Sequence, residues 1–318
     1  MQVHVVAVPM RVPFRGVTTR EVVLLEGPAG WGEFGPFPEY DDAEAARWLA
    51  SAREACSTPP PPARRTSVPV NATVPAVAPG RVPAVLARFP GCTTVKVKVA
   101  EGGQSLADDV DRVAAVRDAL GPGGRVRVDA NGGWSVADAT RALGALAPFG
   151  LEYAEQPCAT VAELAALCLS LARLRLDVPV AADESVRKAE DPLRVALAGA
   201  ADVVVLKVAP LGGVHRALAV AQGCGLPVVV SSALDTSIGI AAGVALAAAL
   251  PDLPYACGLA ITGLMTDDVA AYEVVDGALP VRSVSPDPVR LAALAAPPDR
   301  QEWWRHRLER CSRLLDRS

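Results

Sequence analysis

Eight short apolar runs recur along the chain at intervals of roughly 25 to 30 residues, the spacing of βα units. They fall near 68–74, 93–99, 126–131, 151–155, 178–184, 202–208, 227–232 and 255–259. Between most of them lie Ala-, Leu- and Arg-rich segments with helical spacing, such as 106–120 and 162–174. The repeat predicts an α/β fold, a TIM-like (β/α) barrel, because this many runs over so short a stretch suit a closed barrel better than an open sheet. A dinucleotide-binding sheet fails its context test. No Gly-x-Gly-x-x-Gly follows the first strand, and Gly121-Pro122-Gly123-Gly124 precedes a strand instead.

The N-terminal residues obey a different rule. Glu21-Val22-Val23-Leu24-Leu25, Gly27-Pro28 and Trp31-Gly32-Glu33 predict strand, turn and strand. Asp41-Asp42-Ala43-Glu44 then opens a helix with the acidic first turn that suits its dipole. Pro59-Pro60-Pro61-Pro62 makes a stiff extended connector. We therefore expect an α+β capping domain over residues 1–66, a catalytic barrel over 67–264, and a tail, 265–318, that completes the cap.

Function is constrained by where the charges fall. In Thr93-Thr94-Val95-Lys96-Val97-Lys98-Val99, alternation puts Lys96 and Lys98 on one face of a strand and the valines on the other. Later strand ends bring Asp129-Ala130-Asn131, Glu155-Gln156-Pro157, Asp183-Glu184-Ser185 and Lys207, at the end of a barrel where chemistry sits. Any one of these carboxylates alone fits a helix N-cap equally well, and a lone Lys207 fits a rim residue reaching water. Independent caps would not need the flanking lysines. Three carboxylates with no His or Cys suit a hard cation, Mg²⁺ above all. A lysine beside a second lysine and a dication has its pKa lowered and can serve as a base. Proton abstraction next to a carboxylate is the chemistry this favours.

Composition narrows the alternatives. With 31 basic and 35 acidic residues the net charge is −4, and no basic stripe or basic amphipathic helix points to nucleic acid or a membrane surface. The longest apolar run, 238–250, falls short of the ~20 residues that span a bilayer. The first residues predict a strand, not a signal peptide. Seven scattered cysteines without a Cys-x-x-Cys pair match a reducing cytosol, and Cys158 is expected to be a small apolar filler. His4, His215 and His306 fall outside every motif, so no histidine base is expected. The expectation is a cytoplasmic enzyme acting on a small carboxylate.

Lys96-Val97-Lys98, Asp129-Ala130-Asn131, Glu155-Gln156-Pro157, Asp183-Glu184-Ser185 and Lys207, in that order, resemble the muconate-lactonising subgroup of the enolase superfamily. The resemblance covers nearly the whole chain, including Gly30-Trp31-Gly32-Glu33 in the cap. A lysine base working with Mg²⁺ is that superfamily's known pattern. Within the subgroup the chain is most similar to the o-succinylbenzoate synthase family. Phe14-Arg15-Gly16, Arg20-Glu21, Gly35-Pro36-Phe37-Pro38-Glu39-Tyr40 and Ser231-Ser232-Ala233-Leu234-Asp235-Thr236-Ser237 carry that likeness. It implies syn-dehydration of 2-succinyl-6-hydroxy-2,4-cyclohexadiene-1-carboxylate to 2-succinylbenzoate in menaquinone biosynthesis. It further implies Asp129, Glu155 and Asp183 as metal ligands and Lys98 as the base that also protonates the departing hydroxyl. Lys96 would be its partner on the carboxylate, and Lys207 the cation across the ring.

Substrate contacts are expected from Arg127, Asn131, Ser231, Ser232 and Gly258. Arg127 and Asn131 share a strand face with Asp129, although a salt bridge lower in the barrel suits Arg127 equally. Ser231 and Ser232 lead through Thr236-Ser237 into an Ala-rich helix, whose free N–H groups suit the succinyl carboxylate or serve ordinary capping. Gly258 lies on the last strand, where Ile261 interrupts a run of small residues. Rivals on the same scaffold are an N-succinylamino acid racemase, a dipeptide epimerase and a muconate cycloisomerase. The last strand lacks the Asp-x-Asp that would hold a dipeptide's ammonium. A Schiff base on Lys207 would leave the carboxylates without a role, and a non-catalytic binding barrel would leave all five motifs without one.

Overall fold

The computed structural model describes residues 2–14, 16–187 and 194–317, so Arg15 of the first-loop motif lies outside the described residues. Strands β1 (Gln2–Phe14), β2 (Val17–Gly27) and β3 (Gly30–Phe34) form an antiparallel sheet in that order. Gly27 pairs with Gly30 across the β2–β3 turn, as the Gly-Pro signal predicts. The helix Asp42–Ser57 comes next, its first turn capped by Asp41, which accepts from the Glu44 amide at 2.7 Å. That helix lies so close to β3 that a Cβ at Gly32 would stand 2.0 Å from the Ala52 carbonyl oxygen. Only glycine permits this contact.

Beyond the proline connector, β4 (Ser67–Pro69) stands apart from the parallel strands of the barrel region. Seven of these pair in chain order: β5 (Ala72–Val74), β6 (Thr94–Lys98), β7 (Arg125–Asp129), β8 (Leu151–Glu155), β9 (Val180–Ala182), β10 (Val203–Lys207) and β11 (Val228–Ser231). Their valine-rich runs suit strands covered on both faces. Helices cross between them, two of which, Leu106–Leu120 and Val161–Leu174, start with reciprocal capping boxes at Ser105/Asp108 and Thr160/Glu163. The segment 255–259, expected to be an eighth strand, makes only single bridges, Cys257 to Val70 and Gly258 to Ser231. Pro254 and the 3-10 turn Ile261–Leu264 bound it too closely for a longer ladder. The two bridges touch opposite margins of the sheet, which is therefore curled.

The tail returns to the start of the chain. β12 (Ala278–Pro280) pairs antiparallel with β4. The helix Pro298–Leu315 lies against the first sheet and helix. Trp304 Nε1 donates to Glu21 at 2.8 Å and Arg310 Nε reaches Asp42 at 2.6 Å. All seven cysteines are free, and burial pushes the Cys158 thiol up to about 11, as befits a filler. Among the described residues no helix is long and apolar enough to cross a membrane.

Candidate active site

Strand register builds the site. Pairing sets Lys98 opposite Asp129 and Asp129 opposite Glu155; Asp183 directly follows β9, and Lys207 ends β10. Lys96 joins them because it lies two residues before Lys98 on the same face. Lys96 Nζ lies 2.8 Å from Glu155 Oε1 and 3.2 Å from Asp129 Oδ2, and Lys98 Nζ lies 2.5 Å from Asp129 Oδ2. Lys98 also donates to Asn131 Oδ1 at 2.6 Å, and Lys207 donates to Asp183. None of these three lysines and three carboxylates is more than 7% exposed. The lysines meet carboxylates, which is what permits their burial.

Position separates the two lysines of β6. Burial pushes Lys98 below the ordinary lysine value, with the Lys96 charge adding to that and Asp129 opposing it. For Lys96, burial is outweighed by the charges of Glu155 and Asp129, which hold it above the ordinary value. The two amines are thus shifted in opposite directions, Lys98 toward giving up its proton more readily than Lys96. Burial raises Asp129, but Lys98 and Lys96 outweigh it and hold the carboxyl well below its usual range. Burial and then the Asp129 charge raise Glu155 to about 7.

Gln156 braces two of the strand ends. Its Oε1 accepts from the Asp183 amide at 2.9 Å and the Ser185 amide at 3.2 Å, while its Nε2 donates to Ser185 Oγ at 2.6 Å. The Gln of one motif thus fixes the position of the next. Sequence spacing alone carried no sign of this.

A cavity opens over this layer. Lys96, Lys98, Asp129, Asn131 and Lys207 line it from the strand ends, and Ser231 to Leu234, Gly258 and Ile261 form a further wall. A Cβ at Gly258 would stand 2.5 Å from Ser231 Oγ, so glycine keeps that wall open. The cap contributes Phe14 and Phe37, and the Phe14 ring lies 5.1 Å from Lys98 Nζ. Of the expected substrate contacts, Asn131, Ser231, Ser232 and Gly258 line the cavity. Thr73, Phe14, Phe37, Leu234 and Ile261 complete it; Phe14, Phe37 and Leu234 stood in the likeness motifs and Ile261 on the last strand, but none was expected as a contact.

Arg127 does not reach the cavity. Its Nε pairs with Glu152 at 2.5 Å, its Nη1 donates to the Ala256 carbonyl at 2.7 Å and to Asn71 at 3.1 Å, and its guanidinium lies 4.6 Å over the Tyr153 ring. Arg127 precedes Asp129 by two residues, about 7 Å along a strand, so sharing a face is not sharing a depth. The β7–β8 register shifts beside Glu152, which brings that carboxylate against Arg127.

The start of the helix Ser237–Ala249 is also not free for substrate. Glu33 of β3 accepts from the amides of Thr236 and Gly239 at 3.1 Å and from Thr236 Oγ1 at 2.5 Å. Asp268 accepts from the Ser237 amide at 3.1 Å. The protein's own carboxylates cap this helix, and one of them comes from the cap sheet.

The donor set fits a hard dication, being all oxygen and drawn from neighbouring strand ends. Among the described residues, no three acidic, His or Cys side chains stand grouped for a metal as they are, since the carboxylates are turned onto the lysines.

The family described as Enolase C-terminal domain-like matches residues 84–285, and Enolase N-terminal domain-like matches residues 5–56. The chain belongs to the enolase superfamily. The first match takes in every strand-end residue from Lys96 to Gly258, and the second takes in Phe14, Glu33 and Phe37. The o-succinylbenzoate synthase of Mycolicibacterium smegmatis is 63% identical over 316 residues, 99% of this chain and 96% of that protein. That of Mycobacterium tuberculosis is 62% identical over 316 residues, covering 99% and 94%. The muconate lactonizing enzyme of Pseudomonas fluorescens, solved with muconolactone, is similar with a TM-score of 0.76 at 23% identity, covering 93% of this chain and 98% of that one. This last likeness is one of fold.

Proposed function

We propose that this chain catalyses the o-succinylbenzoate synthase reaction in menaquinone biosynthesis: syn-dehydration of 2-succinyl-6-hydroxy-2,4-cyclohexadiene-1-carboxylate to 2-succinylbenzoate. The enzyme is a hydro-lyase acting in the cytoplasm. Its catalytic unit is a closed (β/α) barrel of residues 67–264, capped by 1–66 and 265–318. What carries the proposal is the strand-end layer, where Lys96 and Lys98 share one face of β6 against Asp129 and Glu155 with Lys207 against Asp183, and where the two β6 amines are shifted in opposite directions. Near-full-length identity to o-succinylbenzoate synthases supports the choice of substrate.

Lys98 Nζ removes the proton from the ring carbon bearing the carboxylate. The electrons of that C–H bond pass first into the carboxylate, giving an enediolate, and then return to the ring as the C–O bond breaks, while Lys98 gives the proton it took to the departing hydroxyl. Water and an aromatic ring result. Both bonds lie on one face, so one amine serves both transfers. Asn131, bonded to Lys98, orients the amine. Lys96 faces the ring carboxylate as a fixed cation, and Lys207 holds positive charge against the ring. Ser231 and Ser232 offer hydroxyls to the succinyl carboxylate, while Phe14 and Phe37 keep water from the reacting face. Asp129, Glu155 and Asp183 would hold Mg²⁺, or Mn²⁺ in its place, which when bound stabilises the charge gathering on the substrate carboxylate.

The test is to follow aromatisation by ultraviolet absorbance with purified protein and the cyclohexadiene carboxylate, with Mg²⁺ and with EDTA. Fast, EDTA-sensitive conversion is expected. Absence of conversion with Mg²⁺ present would remove the assignment. Lys98 and Lys207 both line the cavity, which favours N-succinylamino acid racemisation as the second reading, detected as exchange of the α-hydrogen for deuterium.

A further inference from the structure

Arg20 lies on β2 of the cap, yet its guanidinium serves the barrel. Nε donates to the Leu234 carbonyl at 3.0 Å. Nη2 donates to the Gly35 carbonyl and, at 3.4 Å, to that of Ala233. The guanidinium lies 4.8 Å over the Phe37 ring. One side chain thus grips two segments about 200 residues apart in sequence, and three of the four residues it touches, Phe37, Ala233 and Leu234, line the cavity.

Two further observations set it apart from ordinary packing. Arg20 is only 2% exposed, so its charge is buried at a cost that an apolar residue of similar volume would avoid. Leu234, whose carbonyl it holds, has φ +61°, a backbone conformation that leucine rarely adopts and that persists only when the surroundings enforce it. A group that merely filled the space between β2 and the barrel would need neither the forked donors nor the charge.

We infer that Arg20 is a positioning residue for the substrate pocket, locking the Ala233–Leu234 turn of the barrel to Phe37 of the cap so that the wall receiving the succinyl arm is already formed when substrate arrives. The inference rests on the proposed dehydratase reading for the identity of that arm. The bonds of Arg20 run to Leu234, Gly35 and Ala233 and not to Lys96 or Lys98, so its loss acts on binding and alignment more than on proton transfer. A misplacement of about 1 Å in such a wall is worth roughly 10²-fold in rate. Loss of binding alone appears in KM, whereas loss of chemistry appears in kcat.

The experiment compares wild type, Arg20→Ala and Arg20→Lys by steady-state kinetics on the cyclohexadiene carboxylate. Thermal melting and backbone hydrogen exchange are measured on the same preparations. Arg20→Ala should lower kcat/KM by about 10²-fold, chiefly through KM. Millimolar methylguanidinium should restore at least about tenfold, because it refills the cavity left by the side chain. Arg20→Lys, which keeps the charge but cannot reach all three carbonyls, should fall between, without rescue. Exchange should quicken at both 35–40 and 231–237 and stay unchanged in β6 to β8. This readout needs no substrate, so it tests the positioning role even if wild type fails to turn over the cyclohexadiene carboxylate, a result that would sink the reaction reading alone. Kinetics within threefold of wild type together with unchanged exchange would overturn the inference. So would a loss of activity that tracks lowered Tm and resists methylguanidinium, which would assign Arg20 to the fold. If Arg20→Ala does not fold, Arg20→Lys carries the KM-against-kcat and exchange comparisons, and unchanged exchange at 35–40 and 231–237 would overturn the inference.

Discussion

Arg127→Met separates a residue that touches substrate from one that holds the barrel floor. The arginine is fully buried, pairs with Glu152 at 2.5 Å, donates to the Ala256 carbonyl at 2.7 Å and stacks on Tyr153. Removing one partner of a buried ion pair costs about 3–5 kcal/mol, mostly because the other charge is stranded. Glu152 would not be stranded entirely, since Arg125 lies 2.7 Å from its other oxygen and is largely exposed. That moves the expected cost to the lower end. The lost cation–π contact adds about 0.5–1 kcal/mol. We expect about 3–4 kcal/mol in total from these two contributions. At roughly 2.1 cal/mol/K per residue, the 318 residues give an unfolding entropy of about 0.7 kcal/mol/K, so Tm should fall by about 4–6 °C. The assay is thermal and urea unfolding alongside steady-state kinetics, with Glu152→Gln and the double variant closing a cycle. The pair should couple, and KM should stay within about twofold of wild type. A tenfold rise in KM with Tm unchanged would place Arg127 at the substrate and refute the assignment.

The remaining predictions concern charge at the strand ends and at the cap. Lys98→Ala should lower kcat by at least about 10²–10⁴-fold while Mg²⁺ affinity, measured by calorimetry, persists; retained turnover would remove it as the base. In wild type, kcat/KM should rise with pH and level off below the ordinary lysine value, because burial depresses Lys98 and the base must be neutral. Glu155→Gln should weaken Mg²⁺ binding in the same calorimetric assay, and an unchanged affinity would contradict its role as a ligand. Burial and the nearby Asp235 raise Glu33 to about 8, so the folded state keeps a proton that the unfolded chain gives up above its ordinary carboxylate value. Its contribution to stability is therefore complete at acid pH, below that ordinary value, and is lost as pH climbs to about 8. The loss amounts to a few kcal/mol, at about 1.4 kcal/mol for each pH unit separating the two values. Glu33→Gln should flatten that decline in urea titrations at pH 6 and 9, and an unaltered slope would assign it to other groups.

The architecture was legible because the rhythm of the strands and the alternation within them depend on local sequence. The interval between apolar runs located β5 to β11, and the two lysines of β6 lie on the face where period two puts them. Helix starts were legible for the same reason. A Ser or Thr with an acid three residues later caps itself, as at Ser105/Asp108 and Thr160/Glu163, without help from the rest of the chain.

Depth and long-range capping were not legible. Alternation assigns Arg127, Asp129 and Asn131 to one face but cannot say which of them rises to the cavity and which stays below. Here a register shift beside Glu152 decides it, and nothing in 151–155 marks that shift. The amides opening Ser237–Ala249 look free in sequence because their acceptors, Glu33 and Asp268, lie about 200 residues before them and about 30 after. Arg20 was marked by the family likeness, but its role escapes the same way, because its partners are carbonyls that carry no side-chain signature. The common factor is contact between cap and barrel. A sequence records the chemistry of each side chain, but a site built where two distant segments meet depends on which backbone groups the fold brings together. The residues proposed for proton transfer cluster on successive strands of one sheet and could be found in order, whereas the cavity wall proposed to receive substrate draws on Phe14, Phe37 and the turn at Leu234. Reaction type should therefore be more legible than specificity in barrels of this construction, and variants at Arg20 and Phe37 should change which carboxylates are accepted before they change what is done to them.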